Sequence, residues 1–138
     1  MGTFEFFDHD ADVGIQIRGD SLPDLFLTGA RAVMSWIGSP PSAARSVHEP
    51  VSLEAEGLDD LLVRWLQEVL YLFQQRHAYL TGAESMEFLD GRMKGVVIAS
   101  VWNDTDAVAY QEIKAVTYHQ LEVTREGSGW SARVILDL

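Results

Sequence analysis

Apolar residues recur along the chain at two different spacings, and these spacings divide it into strands and helices. Residues 3–7 and 13–18 alternate between apolar and polar or run apolar, as β-strands do. Residues 22–37 and 58–77 instead repeat apolar residues every three or four positions, which predicts two amphipathic helices. Each helix is therefore expected to bury one face and leave the other in water.

The remaining segments predict more strands. Residues 47–56 have the composition of a strand, and Pro50 favours a sheet edge because proline has no N–H to donate. Four further strands are predicted at 86–91, 93–102, 112–126 and 130–138, joined in two hairpins and separated by a polar connection at 103–111. The order β-β-α-β-α-β-β-β-β predicts one α+β domain over residues 1–138, with two amphipathic helices packed on a mainly antiparallel β-sheet.

Composition narrows the classes of function. The 138 residues are 47% apolar and contain no cysteine, which excludes disulfides, zinc–thiolate sites and thiol catalysis and fits a cytoplasmic protein. Glu5 and Asp8 interrupt any apolar run near the start, so no secretion signal is expected, and no segment is long and apolar enough to span a bilayer. The formal charge of −11 disfavours direct contact with nucleic acid.

The first candidate site is the segment Asp8-His9-Asp10-Ala11-Asp12. Its three carboxylates lie within five residues, beside an imidazole, and repel one another unless a cation or a proton relieves the repulsion. The aspartate spacing is similar to the start of a helix-loop-helix calcium loop, but the later glycine and bidentate glutamate of that loop are missing. The pattern leaves two interpretations open, a divalent-metal site or an acidic turn between two strands.

The second candidate site is the end of the last predicted strand. Asp137 and Leu138 close an apolar strand, and oxygen donors from two strand ends can converge on a hard cation such as calcium, magnesium or manganese. Lys114 and His119 lie on the preceding strand, where a lone histidine is more often a packed or surface residue than a ligand. No catalytic nucleophile with its base and no glycine-rich phosphate loop is recognisable.

Several blocks of the sequence resemble one family. HDADVGI at 9–15, SLPDLF at 21–26, the long helix at 56–73, EIKAVTYHQLEV at 112–123 and GWSARVILDL at 129–138 are similar, in this order, to the signature blocks of the archeases. KAVTYH and the terminal ARVILDL are the most specific of these. The similarity spans nearly the whole chain.

The resemblance implies an α+β protein that is not itself an enzyme. Archeases assist the RtcB-type, GTP-dependent RNA ligase of tRNA splicing and RNA repair, promoting its guanylylation and its multiple turnover. The family holds a divalent cation, taken to be calcium, with magnesium or manganese as alternatives. Carried over, the metal ligands are Asp12, Asp137 and Leu138, the last through a backbone or terminal oxygen, and Lys114 is implicated in function. The protein would contact RNA only indirectly, through the ligase.

This sequence departs from the family pattern at two places. Asp10 stands where threonine is common, and the segment DAVAYQ at 106–111 lacks a histidine that relatives often carry. His9, Asp10, Lys114 and His119 are therefore kept as additional candidates for metal or partner contacts. Two rival functions also stay open: a general chaperone or interaction module, which predicts a large exposed apolar patch, and a metal-dependent hydrolase with His9 or His119 as base.

Overall fold

The computed structural model describes residues 2–40, 42, 45–103 and 110–138. Within them the chain forms seven strands and two helices in the predicted order. The strands are β1 (Thr3–His9), β2 (Asp12–Gly19), β3 (Arg45–Glu54), β4 (Ala78–Leu89), β5 (Arg92–Val101), β6 (Ala115–Glu126) and β7 (Gly129–Asp137); the helices are α1 (Leu22–Ile37) and α2 (Leu58–Arg76). The α+β fold class is confirmed, although part of the predicted connection at 103–111, residues 104–109, lies outside the described residues.

Local sequence sets the ends of α1. The Ser21 side chain accepts a hydrogen bond from the Asp24 backbone N–H at 3.2 Å, and the Asp24 carboxylate accepts the N–H of Asp20 at 2.8 Å. The first bond satisfies a backbone donor that the helix would leave unpaired, and the second fixes the chain just before the N-cap. Gly38 ends the helix, and its N–H is donated to the carbonyl of Met34 at 3.0 Å.

The strands divide between two antiparallel sheets, a separation that the sequence pattern did not reveal. One sheet has the order β1-β2-β7-β6 and the other the order β3-β5-β4. As predicted, the strand that contains Pro50 lies at a sheet edge. The β4–β5 hairpin turns at Asp90 and Gly91, whose φ angles of 47° and 75° are those that a two-residue hairpin turn requires.

Both helices pack between these sheets and share one core. β2 and β7 pack against α1 and β6 packs against α2, while apolar residues of β4 and β5 cover the helices from the other sheet. Trp65 of α2 is fully buried at the centre, and its indole N–H is donated to the Phe26 carbonyl at 2.7 Å. This bond satisfies the one polar group that the large ring brings into the core. None of the helices in the described ranges combines the length and apolar character needed to cross a membrane.

Candidate functional site at the end of the four-stranded sheet

One end of the four-stranded sheet gathers nearly all the residues that the sequence singled out. β1 and β7 finish there, and β2 and β6 begin there, because each neighbouring pair of strands is antiparallel. His9 pairs with Asp12 across the β1–β2 turn, and Asp137 pairs with Ala115 between β7 and β6. Segments more than 120 positions apart in sequence thus become neighbours.

The two proposed carboxylate ligands stand side by side. The β2–β7 register pairs Val13 with Leu136, which places Asp12 and Asp137 one residue further along, at the tips of adjacent strands. Since Val13 and Leu136 belong to the core, alternation turns both aspartates to the outer face of the sheet, away from the helices. Asp12 is partly buried and Asp137 is exposed.

The acidic segment forms a tight turn between β1 and β2, as one of the two interpretations of its sequence predicted. Asp10 and Ala11 are the two turn residues between β1 and β2, and Asp10 adopts a φ of 51°. Aspartate is one of the few side chains that tolerate this left-handed backbone. The turn leaves the second interpretation, metal binding, open, because it also projects Asp8, Asp10 and Asp12 at one end of the sheet.

Gly14 has a packing role beside this turn. The ring of Phe7 covers the α-carbon of Gly14, and any side chain at position 14 would overlap the ring. The Arg133 guanidinium lies 4.5 Å from the centre of the same ring, a distance suited to a cation–π contact. Ile135, the cross-strand partner of Gly14, is only 1% exposed. The outer face is therefore packed at this corner.

A wide bulge in β6 arranges the block KAVTYH. Thr117 pairs with Ile135 and Glu122 pairs with Arg133, so the four residues 118–121 lie opposite a single residue of β7. Gln120 has a φ of 51° within this bulge. The Thr117 hydroxyl donates to the Ile135 carbonyl at 3.0 Å and accepts the His119 N–H at 3.3 Å, which fixes the start of the bulge.

Tyr118 ties the bulge to α2. Its hydroxyl donates to the carboxylate of Asp60 at 2.6 Å, and Arg64 pairs with the same carboxylate at 3.2 Å. The hydrogen bond from Tyr118 holds the pKa of Asp60 below its ordinary value, with a smaller contribution from Arg64. The same bond, because it favours the protonated phenol, raises the pKa of Tyr118.

His119 points the other way and meets His9. The two imidazole rings lie 5.1 Å apart, centre to centre, in an edge-on arrangement. β1 and β6 are the outer strands of this sheet, separated by three inter-strand spacings, or about 14 Å in a flat sheet. The bulge and the curvature of the sheet bring the rings together. The Nδ1 atom of His9 is buried and lacks a hydrogen-bond partner among the described residues.

The backbone of Lys114 is hydrogen-bonded, whereas its side chain is exposed to solvent. Its N–H donates to the Asp137 carbonyl at 2.8 Å. Its neighbours Ile113 and Val116 are 1% and 3% exposed, which confirms that they belong to the core. Their carbonyls accept hydrogen bonds from Gln74 and Gln67 of α2. The lysine thus lies on a hydrogen-bonded segment next to Asp137.

The donor atoms at this sheet end suit a hard divalent cation. Asp12 and Asp137 offer carboxylate oxygens, Leu138 offers a backbone or terminal oxygen, and such oxygens are the ligands that calcium and magnesium prefer. No trio of histidine, aspartate or glutamate side chains is arranged as a metal cage in the parts of the chain that the structure describes. A cation here would complete its shell with water or with oxygens from a partner.

Sequence reasoning missed three residues of this region. Phe7, Asp60 and Tyr118 lie within predicted elements, and the sequence pattern singled out none of them. The glycine at position 14 was a signal for the first, since glycine inside a strand often marks a close approach. No local pattern could pair Asp60 with Tyr118, 58 positions away.

Fold and site together define a small acidic α+β protein whose polar candidate residues meet at one sheet end. The chain belongs to the Archease protein family (MTH1598/TM1083), whose profile it matches over residues 4–138. A protein archease of Methanosarcina barkeri is 30% identical over 139 residues, covering 98% of this chain and 95% of the relative. A protein archease of Pyrococcus furiosus is 28% identical and aligned over the full length of both chains.

Solved structures agree with this assignment. The solution structure of protein 1598 of Methanobacterium thermoautotrophicum superimposes with a TM-score of 0.76 at 28% identity, covering 98% of both chains. The crystal structure of a Thermotoga maritima archease, described as a possible chaperone, gives a TM-score of 0.66 at 18% identity, covering 96% of this chain and 94% of the other. At that identity the second likeness shows the fold alone.

Proposed function

We propose that this protein is a metal-binding, non-catalytic cofactor that activates an RtcB-type GTP-dependent RNA ligase, promoting its guanylylation and multiple turnover in tRNA splicing and RNA repair. Membership of the archease family supports the proposal. The observation that carries it is the position of Asp12 and Asp137 at the tips of adjacent strands, with the backbone of Lys114 hydrogen-bonded to Asp137. These are the residues to which the family resemblance assigns function.

Each residue has a distinct task in this proposal. Asp12, Asp137 and an oxygen of Leu138 would hold the cation, with calcium expected and magnesium or manganese as alternatives. Bound there, the cation supplies positive charge that offsets the crowded carboxylates. Lys114 would contact the ligase or a phosphate in its active site, because its side chain is exposed while its backbone is fixed.

The net charge of −11 indicates how the protein would reach RNA. An acidic surface repels a polyphosphate chain but is attracted to the basic channel of an enzyme that binds one. The acidic sheet end would dock near that channel, and the ligase's own residues would carry out the chemistry.

The test is a reconstituted ligation. Limiting RtcB-type ligase, GTP, metal and an RNA substrate with ligatable ends are incubated with and without this protein. Guanylylated ligase and joined RNA are then followed over many turnovers. The expected result is faster guanylylation and product that exceeds the amount of ligase only when the protein is added. Equal time courses with and without it would overturn the proposal.

Two further assays distinguish the rival functions, a general chaperone and a metal-dependent hydrolase. A general chaperone would suppress aggregation of an unrelated heat-unfolded protein, and a metal-dependent hydrolase would cleave RNA or a phosphodiester without the ligase. In the described residues the exposed large apolar side chains are Tyr71, Leu89 and Tyr118, which belong to α2, β4 and β6. Tyr118 is also hydrogen-bonded to Asp60, so this arrangement does not favour the chaperone.

A further inference from the structure

We propose that His9 and His119 form a nitrogen-donor site for a borderline transition-metal ion such as cobalt, nickel or zinc. It would be separate from the oxygen-donor set of Asp12, Asp137 and Leu138. The inference goes beyond ligase activation and does not depend on it, since it concerns only which cation these two side chains bind. Four observations carry it.

The spacing of the rings is the first observation. Two imidazoles bound to one tetrahedral ion, with metal–nitrogen bonds of about 2.1 Å, have ring centres about 5 Å apart. The rings of His9 and His119 are 5.1 Å apart and inclined at 64°. The arrangement is edge to face, so rotation of one ring about its Cβ–Cγ bond would turn a nitrogen of each histidine toward a common point.

The burial of one nitrogen is the second observation. Nδ1 of His9 is withdrawn from solvent and has no hydrogen-bond partner in the described residues. An imidazole nitrogen left unpaired in this way loses the free energy of its hydration without compensation. A metal ion bound by the pair would fix the tautomer of His9 and could use this lone pair.

The architecture that brings the rings together is the third observation. His119 reaches His9 from the opposite edge strand of the sheet, on a bulge that includes Gln120 at a φ of 51°. A non-glycine residue in that conformation costs free energy. Tyr118 and Thr117 hold the same bulge through hydrogen bonds to Asp60 and Ile135. The position of His119 is thus specified by tertiary contacts and not by a regular strand.

The local charge is the fourth observation. The pair adjoins the turn that carries Asp8, Asp10 and Asp12, and His9 is the cross-strand partner of Asp12. Carboxylates so close raise the local concentration of cations. Imidazole nitrogen then selects among them, since it suits zinc, nickel and cobalt, whereas calcium and magnesium prefer oxygen. With two protein nitrogens, the remaining coordination positions would be filled by water.

Cobalt provides the test because its visible d–d absorption changes with the ligands and the geometry around the ion. The purified protein, free of any histidine tag, is titrated with cobalt chloride at neutral pH, alongside His119→Ala, Asp137→Ala and His48→Ala. His48 is the matched control, because it is an exposed histidine on β3 in the other sheet, paired with Glu84 at 2.9 Å. Circular dichroism verifies that each variant is folded.

The expected result in the wild type is an absorption band that saturates at one cobalt ion per chain, whether or not further cobalt binds the oxygen-donor set. Affinity should fall by at least about tenfold in His119→Ala, the lower bound set by losses from changes that only touch a ligand. His48→Ala and Asp137→Ala should keep the absorption band. No band in the wild type, or an unchanged band in His119→Ala, would overturn the inference. Loss of the band in Asp137→Ala would also overturn it, because the two donor sets would then be one site.

A second measurement avoids substitution altogether. Long-range proton–nitrogen NMR spectra of the ¹⁵N-labelled wild-type protein are recorded with and without zinc. The inference predicts a shift of one ring nitrogen each in His9 and His119, while the His48 nitrogens stay where they are. If zinc shifts His48 as strongly as His9 and His119, binding is an unspecific property of exposed imidazoles and the proposed site is wrong.

Discussion

The ring of Phe7 occupies the space above the α-carbon of Gly14, its partner across the β1–β2 hairpin. Arg133 lies against the same ring, so the outer face of the sheet is closed by an aromatic and a cationic side chain beside the acidic turn. A β-carbon at position 14 would overlap Phe7, so any other residue there has to displace the ring. Packing at this point therefore sets the position of the segment that carries His9 and Asp12.

Replacing Gly14 by alanine should displace Phe7 and destabilise the fold. The expected loss is about 1–3 kcal/mol, the usual range for adding a group to a filled space. Chemical denaturation of Gly14→Ala and wild type measures it. Gly82→Ala is the matched control, since nothing lies within 4 Å of a β-carbon added there, and its stability should change by less than about 1 kcal/mol. Equal effects of the two substitutions would show that Phe7 does not constrain position 14.

The hydrogen bond between Tyr118 and Asp60 makes a pH-dependent contribution to stability. Because the folded-state pKa of Asp60 is lowered, its contribution is present above the ordinary value of 3.8 and is lost as pH falls through the lowered value. Because the folded-state pKa of Tyr118 is raised, its contribution is present below the ordinary value of 10.0 and is lost as pH rises through the raised value.

Tyr118→Phe should therefore be less stable than wild type by a constant amount between these limits, and the difference should shrink outside them. Denaturation midpoints measured across the pH range test this, with carbon NMR of the Asp60 carboxyl group showing its pKa move back up in the variant. Tyr71→Phe, which alters another exposed tyrosine, is the control. A gap between Tyr118→Phe and wild type that widens below pH 3.8 would contradict the assignment.

The order of helices and strands was predictable because each has a strong local pattern. α2 repeats leucine, valine and tryptophan at helical spacing, and these are the residues it buries. Pro50 correctly marked an edge strand, since a missing N–H can be tolerated only there. The division into two sheets was not predictable in the same way. It depends on which strands exchange hydrogen bonds across the chain, and alternation within one strand carries no such information.

The candidate site shows the same limit at the level of single residues. The clustering of Asp8, Asp10 and Asp12 is visible in the sequence because it is local. That Asp137 lies beside Asp12 follows from strand register, and the sequence suggested it only through the family resemblance. The contact between His9 and His119 depends on a bulge in which four residues of β6 lie opposite one residue of β7. A regular strand was predicted for residues 112–126, and a regular strand has no such bulge. His119 was therefore kept as a candidate for metal or partner contacts, but its contact with His9 was not predicted.

Removing the carboxylate of Asp137 should weaken binding of a hard cation. Asp137→Asn is expected to lose at least about tenfold in calcium or manganese affinity, because lesser changes around metal ligands already cost 10–100-fold. Calorimetric titration measures the affinity. Wild type should also gain about 2.7 kcal/mol of stability at a hundredfold excess of metal over Kd, and the variant should gain less at the same concentration.

Asp90→Asn is the control for charge alone. It removes one carboxylate in the β4–β5 turn, where asparagine tolerates the φ of 47° as aspartate does. Its metal affinity should match that of wild type. Equal weakening of Asp90→Asn and Asp137→Asn would mean that the protein attracts cations only through its net charge, and Asp137 would lose its role as a ligand.

Lys114 offers the sharpest separation of function from folding, because the chain contains one other lysine, Lys94, to compare it with. Both side chains are exposed, but Lys94 lies on β5 in the other sheet, away from the acidic sheet end. Lys114→Ala removes no buried contact, and the backbone bond to Asp137 remains. Its free energy of unfolding should therefore stay within about 0.5 kcal/mol of wild type.

In the reconstituted ligation Lys114→Ala should fail to raise turnover, while Lys94→Ala should activate as wild type does. Lys114→Arg refines the result: arginine keeps the charge but changes its shape, so partial activation would indicate a contact with a single anionic group. Normal activation by Lys114→Ala would remove this lysine from the functional surface, and a large loss of stability would make it a structural residue instead.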